Sequence, residues 1–281
     1  MISPLLFDRP VESSADGSTA QRLLGRELQG YGEFRAAAAL YVTVFQYEAP
    51  EFALNPNLLS ALSQNGGSAV GVFTAQDELI GFAYGFAGRD RDGTEFHYSQ
   101  AATVDPRFQG RGVGRTLKLL QAEVAKQWGH STMRWTFDPI LARNAHFNLE
   151  SLGAVGIDYL PDYYARAGTD RILVEWQLGE AQQPLGTTKT HETRCAQKDA
   201  ACAPVLGRSD WGTASPDGDD VWITIPAEVQ APSDDTTRLQ SRLAGTLSET
   251  FASGRVLVGC TRINDDTAAY RAVPRRGKDI A

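Results

Sequence analysis

Gln109-Gly110-Arg111-Gly112-Val113-Gly114 is the stretch on which the reading turns. It stands between a strand-like run, Glu95–Val104, and the best-patterned helix of the chain, from about Gly112 to Trp128. In that helix Val113, Leu117, Leu120, Val124 and Trp128 form one apolar stripe, and Gly129 follows where helices commonly stop. A glycine-rich turn of this kind leaves several backbone N–H groups unpaired and keeps Cβ atoms out of a ligand's way. The helix start adds partial positive charge, so the turn suits a pyrophosphate. Arg107, Arg111, Arg115 and Lys118 crowd the same segment of an otherwise acidic chain, as an anion site requires. Two phosphate motifs are excluded. Counting from Gly110, the sixth position of a dinucleotide fingerprint is Arg115 instead of glycine, and Gly277-Lys278 is followed by Asp279, which no P-loop allows.

Outward from this turn, the pattern gives an α/β domain. Residues 1–30 read as a flexible lead-in, because Met1 to about Thr19 is polar and without apolar period. Helical spacing runs from Glu33 to Tyr47, and Asn55-Pro56 starts a short helix with Leu58, Leu59 and Leu62. Strand-like runs follow at Ser68–Thr74, Leu79–Ala87 and Glu95–Val104. After the patterned helix come a strand (Thr132–Phe137), a helix (Ala142–Leu152) and strands at Val155–Leu160 and Arg171–Leu178. The order α-α-β-β-β-α-β-α-β-β contains one crossover, so the central sheet is mixed, mostly antiparallel and flanked by helices. Residues 31–179 make this domain, and 180–219, rich in Thr, Gln, Gly, Ala and Pro, read as a linker.

Residues 220–281 form a strand–helix–strand extension. Its helix, about Asp235 to Ala252 with Asp234 as cap, carries the stripe Leu239, Leu243, Leu247 and Phe251. Such a stripe must bury, so the region is expected to dock on the preceding domain or on another subunit.

Composition narrows the function. The chain has 281 residues, a formal net charge of −7 and 42% hydrophobic residues, which fits a soluble cytoplasmic protein and argues against nucleic-acid or membrane partners. The N-terminal apolar stretch ends at Asp8, too soon for a signal peptide. Three cysteines (Cys195, Cys202, Cys260) make no disulfide framework, and His191 with Cys195 and Cys202 lacks a fourth zinc ligand at usual spacing. No metal is expected.

Gln109-x-x-Gly112-x-Gly114, with Val104-Asp105-Pro106 just upstream, resembles the acetyl-CoA-binding motif of the GNAT superfamily of N-acyltransferases. Together with the element order, the resemblance covers about Glu33 to Leu178. It looks closest to a subgroup with Phe-Asp-Pro, Arg-Asn-Ala, Leu-Gly-Ala and Tyr-Tyr sequences, here Phe137–Pro139, Arg143–Ala145, Leu152–Ala154 and Tyr163-Tyr164. The resemblance implies the GNAT fold and transfer of an acyl group, acetyl in the first instance, from CoA to an amine of a small molecule by direct attack. A homodimer is compatible with it. The alternative is a CoA-binding, catalytically weak regulatory or partner-binding module. By resemblance, the backbone near Val104 polarises the thioester, and Gln109, Gly110, Arg111, Gly112, Val113, Gly114 and Arg115, with Asn144, bind the cofactor.

The chemistry needs a base for the ammonium, donors for the oxyanion and an acid for the thiolate. Relatives place a tyrosine acid about four residues before the glycine that ends the fourth helix, where this chain has Leu149. His146, Tyr159, Tyr163 and Tyr164 are the nearby substitutes. Strand alternation puts Tyr98, Gln100 and Ala102 on one face with Val104, and Glu95, His97 and Ser99 on the other. Tyr98 falls near the slot where relatives keep a Glu base, and His97 reads as a polar face residue. Asp138, at a strand end, is the best-placed carboxylate, with turn formation before Pro139 as its competing role. The catalytic candidates are therefore Tyr98, Asp138 and Tyr164. His130 reads as a solvated turn residue, and Trp128, Trp135 and Trp176 as core.

Overall fold

The structure is a computed structural model that describes residues 2, 5–9, 21–179, 206–228 and 233–275. Its contacts divide the chain into two compact units, residues 1–134 with 177–185 and residues 135–176 with 186–281. The division falls inside a strand, at Arg134/Trp135, and not at the composition change after residue 179.

The first unit is a sheet in the order β1 (Leu5–Arg9), β2 (Gln21–Glu27), β3 (Ser68–Thr74), β4 (Leu79–Arg89), β5 (Glu95–Val104) and the start of β6 (Thr132–Phe137). Pairs are antiparallel except β5 with β6, which run parallel through His97↔Met133 and Tyr98↔Arg134. The stretch read as a lead-in therefore carries two strands. Helix α3 (Val113–Gln127) covers one face, where Val113, Leu117, Leu120 and Val124 pack with Leu23, Val70, Val72 and Ile80. Trp128, counted in that stripe, is instead 46% exposed, because it caps the helix after the last inward turn. Helices α1 (Gly30–Phe45) and α2 (Pro56–Gln64) cover the other face through Phe34, Ala37 and Leu59 against Ala69, Phe73, Phe82 and Tyr84.

The second unit is built on strands in the order β8 (Arg171–Gln177), β7 (Val155–Leu160), β11 (Arg255–Arg262), β12 (Thr267–Pro274), β10 (Asp220–Pro226) and β9 (Ala214–Asp217). Leu257↔Gly156 joins the C-terminal strands to β7. The region read as one helix over 142–152 is a short α4 (Ala142–His146) that widens into a π-helical turn, Phe147–Ser151. Wide turns of this kind recur at functional sites. Helix α5 (Asp234–Ala252) is capped by Ser233, whose Oγ accepts from the Thr236 N–H at 3.2 Å, so the cap lies one residue before Asp234. Leu239, Leu243 and Leu247 are buried. Trp135 and Trp176 meet edge-to-face, with ring centroids 6.1 Å apart.

Candidate active site

The glycine turn takes the backbone form its composition demands. Gly110 (φ 76°) and Gly112 (φ 78°) are both left-handed, a conformation that costs a side chain energy, and Gly112 is the N-cap of α3 with no side-chain cap. Helix geometry leaves the first-turn N–H groups, those of Val113 and Gly114 among them, without intrahelical carbonyls. The Gln109 amide donates to the Val104 carbonyl at 3.3 Å, which ties the turn to the end of β5. Gln109, Gly110 and Arg111 are exposed, and Gly112, Gly114 and Arg115 half-buried. Beyond Tyr98, the ladder partner of β5 among the described residues is β4 alone, so Gln100–Val104 present a second backbone edge.

The cationic cluster is smaller than the sequence suggested. Arg107 is held by Asp105 at 2.6 Å and Glu78 at 2.7 Å, and Lys118 is fully buried, donating to Ser99 Oγ at 2.8 Å. Arg111, over the Phe108 ring at 5.4 Å, and Arg115 remain at the turn. Lys118 instead begins a buried polar chain. Ser99 Oγ donates to Gln121 Oε1 at 2.7 Å, Gln121 Nε2 donates to Ser68 Oγ at 3.1 Å, and Ser68 Oγ lies 2.8 Å from His97 Nε2. Burial holds the Lys118 amine well below its usual value, and burial with the neighbouring His130 and Lys118 pushes His97 down to about 3, so its ring is neutral at ordinary pH. His97 is wholly enclosed, with Nδ1 lacking a partner, and His130 is also buried.

These partners overturn the face assignment of β5. A bulge at Gln100, opposite Tyr84/Gly85, puts Tyr98 with Ala101 and Thr103, and His97 and Ser99 with Val104 against α3. One extra residue inverts the alternation. Tyr98 is buried beside Phe86, ring centroids 5.3 Å apart, on the face covered by α1 and α2.

In the second unit, Asp138 follows β6. Its Oδ1 accepts the Ile140 N–H at 3.0 Å, while Oδ2 lies 3.8 Å from Arg171 Nη1, and among the described residues no donor reaches Oδ2 within hydrogen-bond distance. Burial raises its carboxyl above the usual value, Asp170 adding to that, against the Ile140 N–H and Arg171. The buried Tyr270 hydroxyl donates to the Pro139 carbonyl at 2.6 Å and fixes this turn to β12. Tyr159 donates to Asp170 Oδ2 at 2.5 Å, which with burial raises its phenol. Asn144 is exposed on α4, and Leu149 is buried in the wide turn. Tyr164 is 45% exposed, with the Arg171 guanidinium 5.2 Å from its ring. The candidates thus fall into two groups: Tyr98, Val104 and Gln109–Arg115 in the first unit, and Asp138, Asn144 and Tyr164 in the second. Sequence reading missed Asp170, Arg171 and Tyr270, which no motif marks. His191, Cys195 and Cys202 lie outside the described residues. No cluster of three or more His, Cys, Asp or Glu able to hold a metal occurs among the described residues, nor does a helix long and apolar enough to cross a membrane.

Comparison with known proteins places these features. No curated protein sequence matches the chain significantly. Among solved structures it is similar to a GNAT-family protein from Desulfovibrio desulfuricans (20% identity, 56% of this chain and 99% of that one, TM-score 0.46). It is also similar to yncA from Salmonella typhimurium, solved with acetyl-CoA (20% identity, 59% and 99%, TM-score 0.46). Naa20 of Chaetomium thermophilum, solved with a bisubstrate analogue, matches at 14% identity over 54% of this chain and 85% of that one, TM-score 0.45. The family model of the acetyltransferase (GNAT) family matches residues 34–153, which contain both the glycine turn and the Asp138 turn. Over those residues, fewer than half of the chain, the protein matches a GNAT acetyltransferase domain.

Proposed function

We propose that the protein is a cytoplasmic enzyme that transfers an acetyl group from acetyl-CoA to an amine of a small molecule, by direct attack in a ternary complex. The observation that carries this reading is the turn at Gly110 and Gly112, where two left-handed glycines open the N-terminus of α3 beside exposed Arg111. The residues present fit the cosubstrate, because the turn offers N–H donors, no side-chain cap and a guanidinium to a pyrophosphate. Acetyl-CoA supplies the activated acyl thioester. The backbone edge of β5 ending at Val104 supplies donors for the oxygen that gains charge. A base must take the proton from the ammonium, and among the candidates Asp138 has an oxygen that no described donor reaches and a carboxyl that burial has made more basic. The freed amine forms the C–N bond as the C–S bond breaks, giving an amide, the CoA thiol and one released proton. Of the candidate phenols for protonating the thiolate, Tyr164 is 45% exposed and Tyr98 is buried beside Phe86.

CoA titration of the full chain tests the reading. CoA at about 100 times its dissociation constant should add about 2.7 kcal/mol of stability. Gly112→Asp puts a carboxylate where phosphate should sit, whereas Gly112→Asn places a neutral side chain of the same shape at the same left-handed φ. CoA stabilisation should be lost in the first and largely kept in the second; equal CoA binding by a folded Gly112→Asp protein would refute the assignment. CoA binding without acetylated product from a broad amine panel would return the binding-module alternative, which the apolar Leu149 favours.

A further inference from the structure

The second unit holds a small pocket beside the Asp138 turn. Its walls come from three places in the sequence. Asp138, Pro139 and Ile140 follow β6; Tyr159, Gly168 and Asp170 come from β7 and the loop to β8; Gln240, Leu243 and Ala244 come from α5. The chemistry of the lining is lopsided. Two carboxylates line it, and Arg171 beside them donates through Nη1 to the Asp170 backbone carbonyl at 3.0 Å and stands 3.8 Å from Asp138 Oδ2, too far for a hydrogen bond. Asp170 is engaged on both oxygens, Oδ1 by the Asp162 N–H at 2.9 Å and Oδ2 by Tyr159. Asp138 keeps one oxygen unengaged. Pro139, Ile140, Leu243 and Ala244 make the aliphatic part of the wall, Tyr159 adds a phenol, and of the α5 lining residues only Gln240 is polar.

We propose that this pocket binds the acceptor, a small primary amine held as its ammonium against Asp138 and Asp170, with an aliphatic body against Ile140, Leu243 and Ala244. As an acceptor site it rests on the acetyl-transfer reading; as a cation site it stands on its lining alone. A carboxylate oxygen that no described donor reaches can accept an N–H of the ligand in a charge-assisted hydrogen bond, and the negative charge of the lining turns away carboxylates and phosphates. The pocket also gives the C-terminal region a role: α5 sets the size and shape of the amine. A bulky group at Leu243 or Ala244 would shorten the body that fits.

Titration of the full chain with n-butylamine, 1-butanol and butyrate, followed by ligand-observed NMR, decides this. Butylamine should bind at least about tenfold more tightly than either isostere, as expected for a charge-assisted contact. Gln240 is exposed on α5, so both charge variants there should fold. Gln240→Lys should weaken butylamine about three- to tenfold and Gln240→Glu should tighten it by a similar factor, both effects shrinking with salt. CoA affinity should be the same in wild type and both variants. Butyrate binding as well as butylamine, or butylamine binding blind to both changes, overturns the pocket assignment, whether or not CoA binds and product forms. Charge-dependent butylamine binding with no acetylated product, in a protein that binds CoA, leaves the cation site standing and removes the transferase reading instead.

Discussion

Two turns in this chain share a local sequence and differ in electrostatics. Val104-Asp105-Pro106 ends β5 and Phe137-Asp138-Pro139 ends β6. In both, Oδ1 of the aspartate accepts the N–H two residues on, Arg107 at 2.9 Å and Ile140 at 3.0 Å. That cap is local, and the Asp-Pro pair dictates it. The charge is not local. Asp105 is clasped by the Arg107 guanidinium at the surface, which holds its carboxyl below the usual value. Asp138 is half-buried with Arg171 at 3.8 Å, beyond hydrogen-bond reach, and its carboxyl lies above the usual value. One aspartate is closed and structural. The other has an oxygen to give.

The comparison breaks most visibly at Asp138. Asn keeps an oxygen for the Ile140 N–H but cannot accept a proton, so Asp138→Asn should lower acetyl transfer by about 10²–10⁴-fold with CoA affinity retained. The loss should ease as pH rises and more amine is neutral. Stability runs the other way. A carboxylate whose folded pKa is raised favours folding most when protonated, and that contribution fades as pH rises from the ordinary carboxylate value through the raised one. At pH 7 the Asn variant should therefore melt no lower than wild type. A lower melting temperature with an unchanged rate per folded molecule would mean that Asp138 only shapes its turn.

The caps and the patterned elements were legible because they are short-range. The α3 stripe, the glycine turn and the spans of β3, β5, β6 and β7 follow from period and punctuation alone. What escaped depends on partners distant in sequence. The bulge at Gln100 exists only through pairing with Tyr84 and Gly85, and it reversed the faces assigned to Tyr98 and His97. Strand β2 was missed because its inward positions include Gly25, where a Cβ would lie 2.9 Å from Leu120 Cδ1. Close packing of α3 requires that glycine, and the glycine erases the apolar signal. Lys118 looked like part of a phosphate cluster because its helical position was right, but its side chain runs inward to Ser99. Asp170 and Arg171, which set the charge of the Asp138 turn, carry no motif at all.

The second difference between the turns is the anchor beneath them. Tyr270, fully buried, donates to the Pro139 carbonyl, and no described side chain does the same for Pro106. Tyr270→Phe leaves that carbonyl unpaired in the interior, so it should cost about 1–3 kcal/mol in chemical denaturation. Unchanged stability would mean that the Asp138 turn holds itself as the Asp105 turn does.

The smallest effect belongs to Asp105, and it sharpens the contrast because its sign is opposite. A carboxylate whose folded pKa is lowered contributes stability at pH above the ordinary value of about 4 and loses it as pH falls through the folded pKa. Asp105→Asn keeps the cap on the Arg107 N–H and removes only the ion pair. Arg107 is 65% exposed, so water and salt screen most of that attraction. The melting temperature at pH 7 should fall by no more than about 2 °C, and the gap from wild type should close as pH is lowered towards 3. Acetyl transfer and CoA binding should be unaffected, because the Gln109 amide still ties the glycine turn to Val104. A loss of CoA affinity on this change alone would mean that the Asp105–Arg107 clasp positions the phosphate turn, and the two Asp-Pro corners would then both be functional.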